Sequence, residues 1–353
     1  MITKKIFSFT ASMIKVFIVL FMHTNSNAEN NNIKYYSQEL GTIGIMYHRF
    51  NENKYPSTNI QMDVFKKQIE IIKNKNLKFV NPNDFDKEFL IPKKEKKILI
   101  TIDDGFSSFY EHAWPYLKEQ KIPFILFVST EAVGKNGYMS WKEIKEIEKE
   151  EFAFIGNHSH THDYLVDFNF EDFKKDIETS IKIFTNEIGY NPIFFSYPFG
   201  EFTAQQVNYV KKKFKYGFGQ HSGVIDLNKN PFELPRFPIN EKYGDLDRFS
   251  FLINLLPLQY KKVFPEDKYI TSNNPPKLVI EFFSEQKNLN KINCFSDEGG
   301  KWEKSKINLV ENKLEILFRE KFSFRRGRIN CSLNDNLGWR WFGIQFSVKT
   351  NLN

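Results

Sequence analysis

Short apolar runs that alternate with helical patterns constrain the fold of this chain more than any other feature. They extend from about Ile43 to Phe218 and include two clear strands, Lys97–Ile102 and Phe124–Val128. The long stretch before Gly189 instead repeats apolar residues at three- and four-residue steps, and glycine suits the C-terminal cap of a helix. Alternation of strands and helices predicts a mostly parallel sheet, either open or closed into a barrel.

The alternation stops after about Phe264. The Asn-Asn-Pro-Pro segment at residues 273–276 indicates a linker. Later stretches alternate polar and apolar residues without helical periodicity, which predicts a small all-β, sandwich-like domain. Its tryptophans at Trp302, Trp339 and Trp341 either stack on sugar rings or fill the core of the domain.

The two cysteines of the chain, Cys294 and Cys331, both lie in this last segment. In an exported protein such a pair indicates a disulfide, and two buried thiols are the alternative.

The N-terminus has the pattern of an export signal. Lys4 and Lys5 precede an apolar run at residues 16–22, and small residues precede Glu29. The run is shorter than the roughly 20 apolar residues that span a bilayer, although an uncleaved anchor is the alternative. We predict a signal peptide at 1–28, a catalytic domain at 29–268 and an all-β domain at 269–353. The expected location is secreted or periplasmic.

The formal net charge of +7 is spread along the chain. It suits association with an anionic cell envelope. A diffuse charge that indicates no particular partner is an equally good interpretation. No nucleic-acid-binding motif is present in the sequence, so we expect no nucleic-acid partner, and we predict no obligate protein partner.

Four polar segments follow predicted strands, at the edge of a parallel sheet where ligands bind. They contain His48, the pair Asp103-Asp104, the run His158-Ser-His-Thr-His162, and Phe199 in Tyr-Pro-Phe-Gly. Each segment has a plainer interpretation: a structural histidine, an Asp-Asp-Gly turn, a histidine-rich surface loop, or a simple turn.

The carboxylate and histidine segments suit a metal site. Two imidazoles with one carboxylate form a common zinc constellation that leaves a position open for water. On a helical turn, His158 and His162 would point the same way because they are four residues apart, whereas His160 would point to the opposite side. A loop that binds metals adventitiously is the alternative.

Taken together, these segments resemble the carbohydrate esterase family 4 polysaccharide deacetylases, with the NodB-type homology domain, over about residues 43–239. The resemblance implies a distorted (β/α) barrel that hydrolyses N-acetyl groups of an N-acetylglucosamine-containing polysaccharide, with Zn²⁺ or another divalent transition metal as cofactor. It also implies that Asp103 is the general base and that the metal ligands are Asp104, His158 and His162. The backbone N–H of Phe199 would stabilise the oxyanion.

The chain departs from the common family pattern in two places. Ser196 stands where the third motif usually carries an arginine, and no histidine follows His221. Both departures resemble the exported poly-N-acetylglucosamine deacetylases of biofilm systems. That resemblance implies His48 as general acid and Arg236 as the replacement for the missing arginine near Asp103.

Two other functions stay open from the sequence. The same chemistry can act on peptidoglycan or chitooligosaccharides, and the His48 arrangement favours the exopolysaccharide over these. A catalytically silent glycan-binding protein on the same fold is the third possibility, and the intact set of Asp103, Asp104, His158 and His162 argues against it.

Overall fold

A computed structural model describes residues 40–85, 87, 95–226 and 229–349 of the chain. The signal peptide predicted at residues 1–28 lies outside the described residues. Among the helices of the described part, none has the length and apolar character needed to cross a membrane.

A nine-stranded sheet organises the described residues as far as Pro238. This part of the chain contains strands β1 (Thr42–Tyr47), β2 (Arg49–Phe50), β3 (Asn59–Ile60), β4 (Lys78–Phe79), β5 (Lys97–Ile102), β6 (Phe124–Val128), β7 (Ala153–Asn157), β8 (Phe194–Ser196), β9 (Tyr216–Phe218), β10 (Val224–Ile225) and β11 (Phe237–Pro238). The order is β10-β1-β5-β6-β7-β8-β9, with β11 paired to β1 and β4 to β5, while β2 and β3 pair separately.

Five neighbouring pairs, from β1–β5 to β8–β9, are parallel. Their carboxyl ends therefore lie along one edge, which is where the polar segments of the sequence emerge. The sheet curls into a partial barrel, as the predicted fold class requires. Its central strands β5 and β6 are buried along their whole length, as expected of a parallel sheet covered on both faces.

Six α-helices in the described residues accompany this sheet. They are α1 (Met62–Asn74), α2 (Trp114–Gln120), α3 (Trp141–Glu148), α4 (Phe170–Ile188), α5 (Ala204–Lys213) and α6 (Leu246–Leu252). Helix α4 begins after Asn169, whose side chain accepts from the Asp172 N–H, and ends at Gly189 with φ 92°. The predicted glycine cap is thereby confirmed.

The remaining strands form two smaller sheets. They are β12 (Leu256–Pro257), β13 (Lys262–Phe264), β14 (Tyr269–Ile270), β15 (Leu278–Glu281), β16 (Asn293–Ser296), β17 (Glu303–Lys304), β18 (Lys306–Val310), β19 (Lys313–Leu317), β20 (Arg326–Asp335) and β21 (Gly338–Val348). One sheet has the order β12-β21-β20-β16-β17 with β14 on β21, and the other has the order β13-β15-β19-β18. A shared apolar cluster fills the space between them, so the all-β prediction is confirmed.

Cys294 and Cys331 lie opposite each other on β16 and β20 and form a disulfide with an S–S distance of 2.02 Å. The predicted pairing is confirmed. The division between domains at residues 268 and 269 stays a prediction. Strands β12 and β13 precede that division, yet they pair with β21 and β15 beyond it.

Candidate active site

The polar segments meet at the carboxyl edge of the parallel strands. The backbone N–H of Asp103 donates to the Tyr47 carbonyl at 2.9 Å, which extends the β1–β5 pairing by one residue. The next two residues, Asp104 and Gly105, both have φ near +75°. This left-handed turn ends the strand and gives the two adjacent carboxylates different surroundings.

Asp104, His158 and His162 form a compact group whose possible ligand atoms all lie within 4.8 Å of one another. The Oδ1 atom of Asp104 is 3.3 Å from Nε2 of His158 and 3.1 Å from Nε2 of His162. Among the described residues, this Oδ1 atom and the His158 Nε2 atom are buried and have no hydrogen-bond partner. Buried polar atoms are normally satisfied, so a divalent cation between them fits this group.

The ring of His158 is oriented for such a role. Its Nδ1 lies 2.7 Å from the Ser196 backbone carbonyl, and only a protonated nitrogen can donate to that oxygen. This assigns the proton to Nδ1 and leaves the Nε2 lone pair directed at Asp104. A second nitrogen that donates to a carbonyl is the usual way in which a metal-binding histidine is held.

The expected helical turn in the His158–His162 segment is wrong. No helix forms there, and Ser159 and His162 adopt positive φ angles of 69° and 59°. The loop therefore brings the two imidazoles together by left-handed kinks, and the rings lie edge-to-face at 4.7 Å. The His160 Nδ1 instead lies 2.9 Å from the Thr130 hydroxyl, and His160 is outside the ligand group, as the sequence predicts.

Arg236 lies directly against Asp103, and both side chains are fully buried. Its Nη1 and Nη2 donate to the two carboxylate oxygens at 2.6 and 2.9 Å. The remaining guanidinium hydrogens go to the Gly219 carbonyl and to the hydroxyls of Thr101 and Ser196. A fully paired guanidinium of this kind fixes the carboxylate in one orientation.

The charges around the two aspartates favour their ionised forms. Burial alone would raise the pKa of Asp103, but Arg236, together with His158 and His48, holds the pKa below its ordinary value. The pKa of Asp104 is likewise held well below its ordinary value by the adjacent His158 and His162 rings, against the effect of burial. Both groups are therefore carboxylates at neutral pH.

Ser196 is a site residue that the sequence pattern identified only as a departure. Its hydroxyl donates to Asp103 at 3.3 Å and accepts from Arg236 at 2.8 Å, while its carbonyl accepts from His158. A small residue at the end of β8 leaves space for the guanidinium that arrives from residue 236. The one sequence feature that pointed to Ser196 was that it stands where the third motif usually carries an arginine.

His48 follows β1 at the same edge and is partly buried. Burial lowers its pKa, the charges of Asp104 and Asp103 oppose this, and the net effect is a pKa below the ordinary value. In the resting protein His48 is consequently neutral at pH 7.

Phe199 occupies the predicted tight turn, with φ 59° and ψ 4°, and its ring lies 4.8 Å from the His162 ring. The C-terminal sheets contact this turn directly. The Gln345 side chain donates to the Phe199 carbonyl at 3.0 Å, and the Arg326 guanidinium lies 5.2 Å from the centre of the Phe199 ring. No local sequence pattern marks this contact, so it could not be predicted from the sequence.

Comparisons with known proteins agree with this geometry. Residues 91–217 match the family model described as polysaccharide deacetylase. Poly-beta-1,6-N-acetyl-D-glucosamine N-deacetylase of Staphylococcus aureus is 27% identical over 272 residues, which cover 65% of this chain and 88% of the relative. The enzyme of the same name from Staphylococcus epidermidis is 22% identical over 263 residues, covering 66% and 88%.

Two solved structures share the fold. IcaB from Ammonifex degensii has a TM-score of 0.54 at 23% identity, covering 62% of this chain and 98% of that protein. The Streptococcus pyogenes deacetylase PplD, in complex with acetate, has a TM-score of 0.53 at 19% identity, covering 58% and 95%. The resemblance and the fold class predicted from the motifs are both confirmed.

Proposed function

We propose, from the premise that this chain contains a polysaccharide deacetylase domain, that it hydrolyses the N-acetyl groups of a poly-β-1,6-N-acetylglucosamine. The products are acetate and a glycan with free amines. The printed names of the Staphylococcus relatives support this choice of substrate. The observation that carries the proposal is the pair of buried, unpaired atoms on Asp104 and His158, beside a carboxylate that Arg236 holds in place.

In this proposal Asp104, His158 and His162 hold a divalent cation. When bound, such an ion supplies Lewis-acid activation of water at neutral pH. Two imidazoles with one carboxylate are typical of zinc, and we propose zinc as the metal. The Ser196 carbonyl contributes indirectly because it orients the His158 ring.

Asp103 is proposed as the general base. Its carboxylate oxygen Oδ2 lies 3.8 Å from the His158 Nε2 atom, so a water near the ligand group is within its reach. The bidentate contact with Arg236 keeps the carboxylate ionised and aimed at one position. Asp103 accepts the proton of the attacking water as the new bond to the acetyl carbon forms.

Two further residues complete the proposed chemistry. The Phe199 N–H stabilises the oxyanion, and a single donor of this kind is typically worth about 10²–10³ in rate. His48 donates a proton to the departing nitrogen. Because His48 is neutral in the resting protein, it first takes that proton from solvent, which the nearby charges of Asp103 and Asp104 favour, and Asp103 returns the proton of the attacking water to solvent when the products leave.

We also propose that the protein is exported, to the cell surface or the periplasm. The Cys294–Cys331 disulfide supports this, since structural disulfides persist in oxidising compartments. The signal-like pattern of residues 1–28 agrees with it.

Acetate release tests the proposal. The purified chain is incubated with poly-β-1,6-N-acetylglucosamine, chitooligosaccharides and peptidoglycan, each with and without a chelator. We expect acetate from the first polymer, loss of activity with chelator and recovery when Zn²⁺ is restored. His160→Ala is the matched control for His158→Ala, because it alters the same loop outside the ligand group.

Three outcomes count against parts of the proposal. Activity that survives complete metal removal refutes the metal mechanism. Preferential release from chitooligosaccharides or peptidoglycan refutes the proposed polymer and leaves the chemistry. Absence of acetate from every acetylated glycan, with metal bound, refutes the enzymatic proposal.

A further inference from the structure

One face of the C-terminal sheet β12-β21-β20-β16-β17 continues outward from the candidate active site. Side chains alternate between the two faces of a strand, and residues opposite each other in an antiparallel pair share a face. Arg328 lies opposite Gln345, Asn330 lies opposite Phe295, and Phe295 lies opposite Lys304. These residues therefore share one face. The opposite face, with Ile329 and Cys331 among others, is buried in the sandwich core.

This face touches the proposed catalytic turn at one end. Gln345 donates to the Phe199 carbonyl, and Arg326, two residues before Arg328 on β20, lies over the Phe199 ring. Further along, Arg328 lies 5.7 Å from the centre of the Trp302 ring. Three strand spacings separate β21 from β17, so the face extends roughly 14 Å away from the turn. Asn330 and Trp341 on this face contact Ser222, so the open part of the face runs from Arg326 past Arg328 to Trp302.

The outer part of the face exposes aromatic rings. Phe295 and Trp302 are each 41% exposed, although large aromatic side chains are usually buried. By contrast, the Trp341 indole N–H donates to the Ser222 hydroxyl in the preceding part of the chain. We therefore do not count this tryptophan among the rings that can stack on a sugar. Flat exposed rings beside a sugar-processing site suit stacking against the apolar faces of pyranose rings.

Polar side chains border the aromatic rings of this face. Arg326 and Arg328 form ion pairs with Glu201 and Asp297, so their charges are balanced, and Lys304 lies opposite Phe295. An arginine has five N–H donors, which suit the oxygen atoms of a sugar.

We propose that Phe295, Trp302, Lys304, Arg326 and Arg328 form a glycan shelf that binds the polysaccharide chain next to the active site. This inference rests on the proposed deacetylase function and assigns the C-terminal domain a role in binding the substrate chain. Stacking on Phe295 and Trp302 supplies affinity.

Chain-length dependence tests the shelf in the full-length protein with metal bound. Acetate release is measured on a β-1,6-linked N-acetylglucosamine trisaccharide and on the corresponding octasaccharide. We expect Trp302→Ala to lower the ratio of kcat/KM on the octasaccharide to that on the trisaccharide about tenfold, which corresponds to one aromatic stacking contact. The change should lie in KM, because the shelf binds sugars that do not react.

Trp339→Ala is the matched control. Trp339 has the same exposure of 41% but lies six residues before Gln345 on β21, about 20 Å away along the strand. We expect it to leave the ratio at the wild-type value. Equal ratios for the Trp302 and Trp339 variants would overturn the shelf while the wild-type enzyme still releases acetate.

Failure of the proposed function has a different signature, since the wild-type chain then releases no acetate from either oligosaccharide. In that case the affinity for the acetylated octasaccharide tests the shelf. It is measured from the quenching of tryptophan fluorescence in the wild type and in the two variants. Loss of affinity confined to Trp302→Ala supports it, and equal affinities of the two variants overturn it.

Discussion

Replacing Arg236 by methionine removes the guanidinium that donates to both oxygens of the Asp103 carboxylate, at 2.6 and 2.9 Å. Both side chains are 0% exposed, so water cannot replace the lost partner without rearrangement. Breaking a buried pair by removing one member typically costs about 3–5 kcal/mol, because a charge is left uncompensated. We expect Arg236→Met to lower the free energy of unfolding by that amount in the metal-free protein.

A double-mutant cycle separates the charge from the packing. In an Asp103→Asn background Arg236 is itself a buried charge without its carboxylate partner, so Arg236→Met loses the hydrogen bonds to its other partners but also removes that uncompensated charge. We expect a coupling energy of about 2–3 kcal/mol, at the upper end of the range for directly contacting residues. The four proteins are compared by urea denaturation in the presence of a chelator, which removes differences in metal binding.

The result that would refute this reasoning is additivity. If Arg236→Met costs the same in both backgrounds, the guanidinium stabilises the fold through contacts other than the carboxylate. The proposal that Arg236 holds Asp103 ionised and oriented then loses its support.

Four further predictions concern the site and the C-terminal domain. His158→Ala should abolish both bound metal and activity, whereas His160→Ala should retain the metal, as measured by elemental analysis of the purified proteins. Asp103→Asn should keep the metal and lower kcat about 10²–10⁴-fold, and near wild-type turnover would exclude it as the base. Gln345→Ala should lower kcat more than it changes KM, because it releases the turn that carries the proposed oxyanion donor; an unchanged kcat contradicts this. Cys331→Ser should lower the free energy of unfolding of the C-terminal sheets by about 4 kcal/mol, from the sequence separation of 37 residues, and an unchanged denaturation midpoint would contradict the estimate.

Much of the candidate site could be predicted from sequence because its parts are local. Asp103, Asp104 and His158 each follow a strand whose apolar run is recognisable from a few residues. The ends of parallel strands share an edge, so strand type and strand end together predict that these side chains meet. The loop between His158 and His162 was predicted wrongly in conformation, because a four-residue spacing does not distinguish a helical turn from left-handed kinks.

Other parts of the site depend on segments far apart in the chain. Arg236 was linked to Asp103 only through a resemblance, and 133 residues separate the two side chains that make the bidentate contact. The contact of Gln345 with the Phe199 carbonyl spans 146 residues and joins the two parts of the molecule. Neither contact has a periodic pattern or a motif that would indicate it.

The sequence by itself therefore predicted the main strands of the parallel sheet, most of its helices and the candidate site residues at the strand ends, since periodicity and strand ends are properties of short segments. The tertiary structure alone decided that Arg236 contacts both carboxylate oxygens of Asp103, how the left-handed loop joins two imidazoles, and which side chain of the C-terminal sheet contacts the turn at Phe199. The physical reason is that these relations depend on how distant segments pack, and burial and pairing of charge are settled only when that packing is complete.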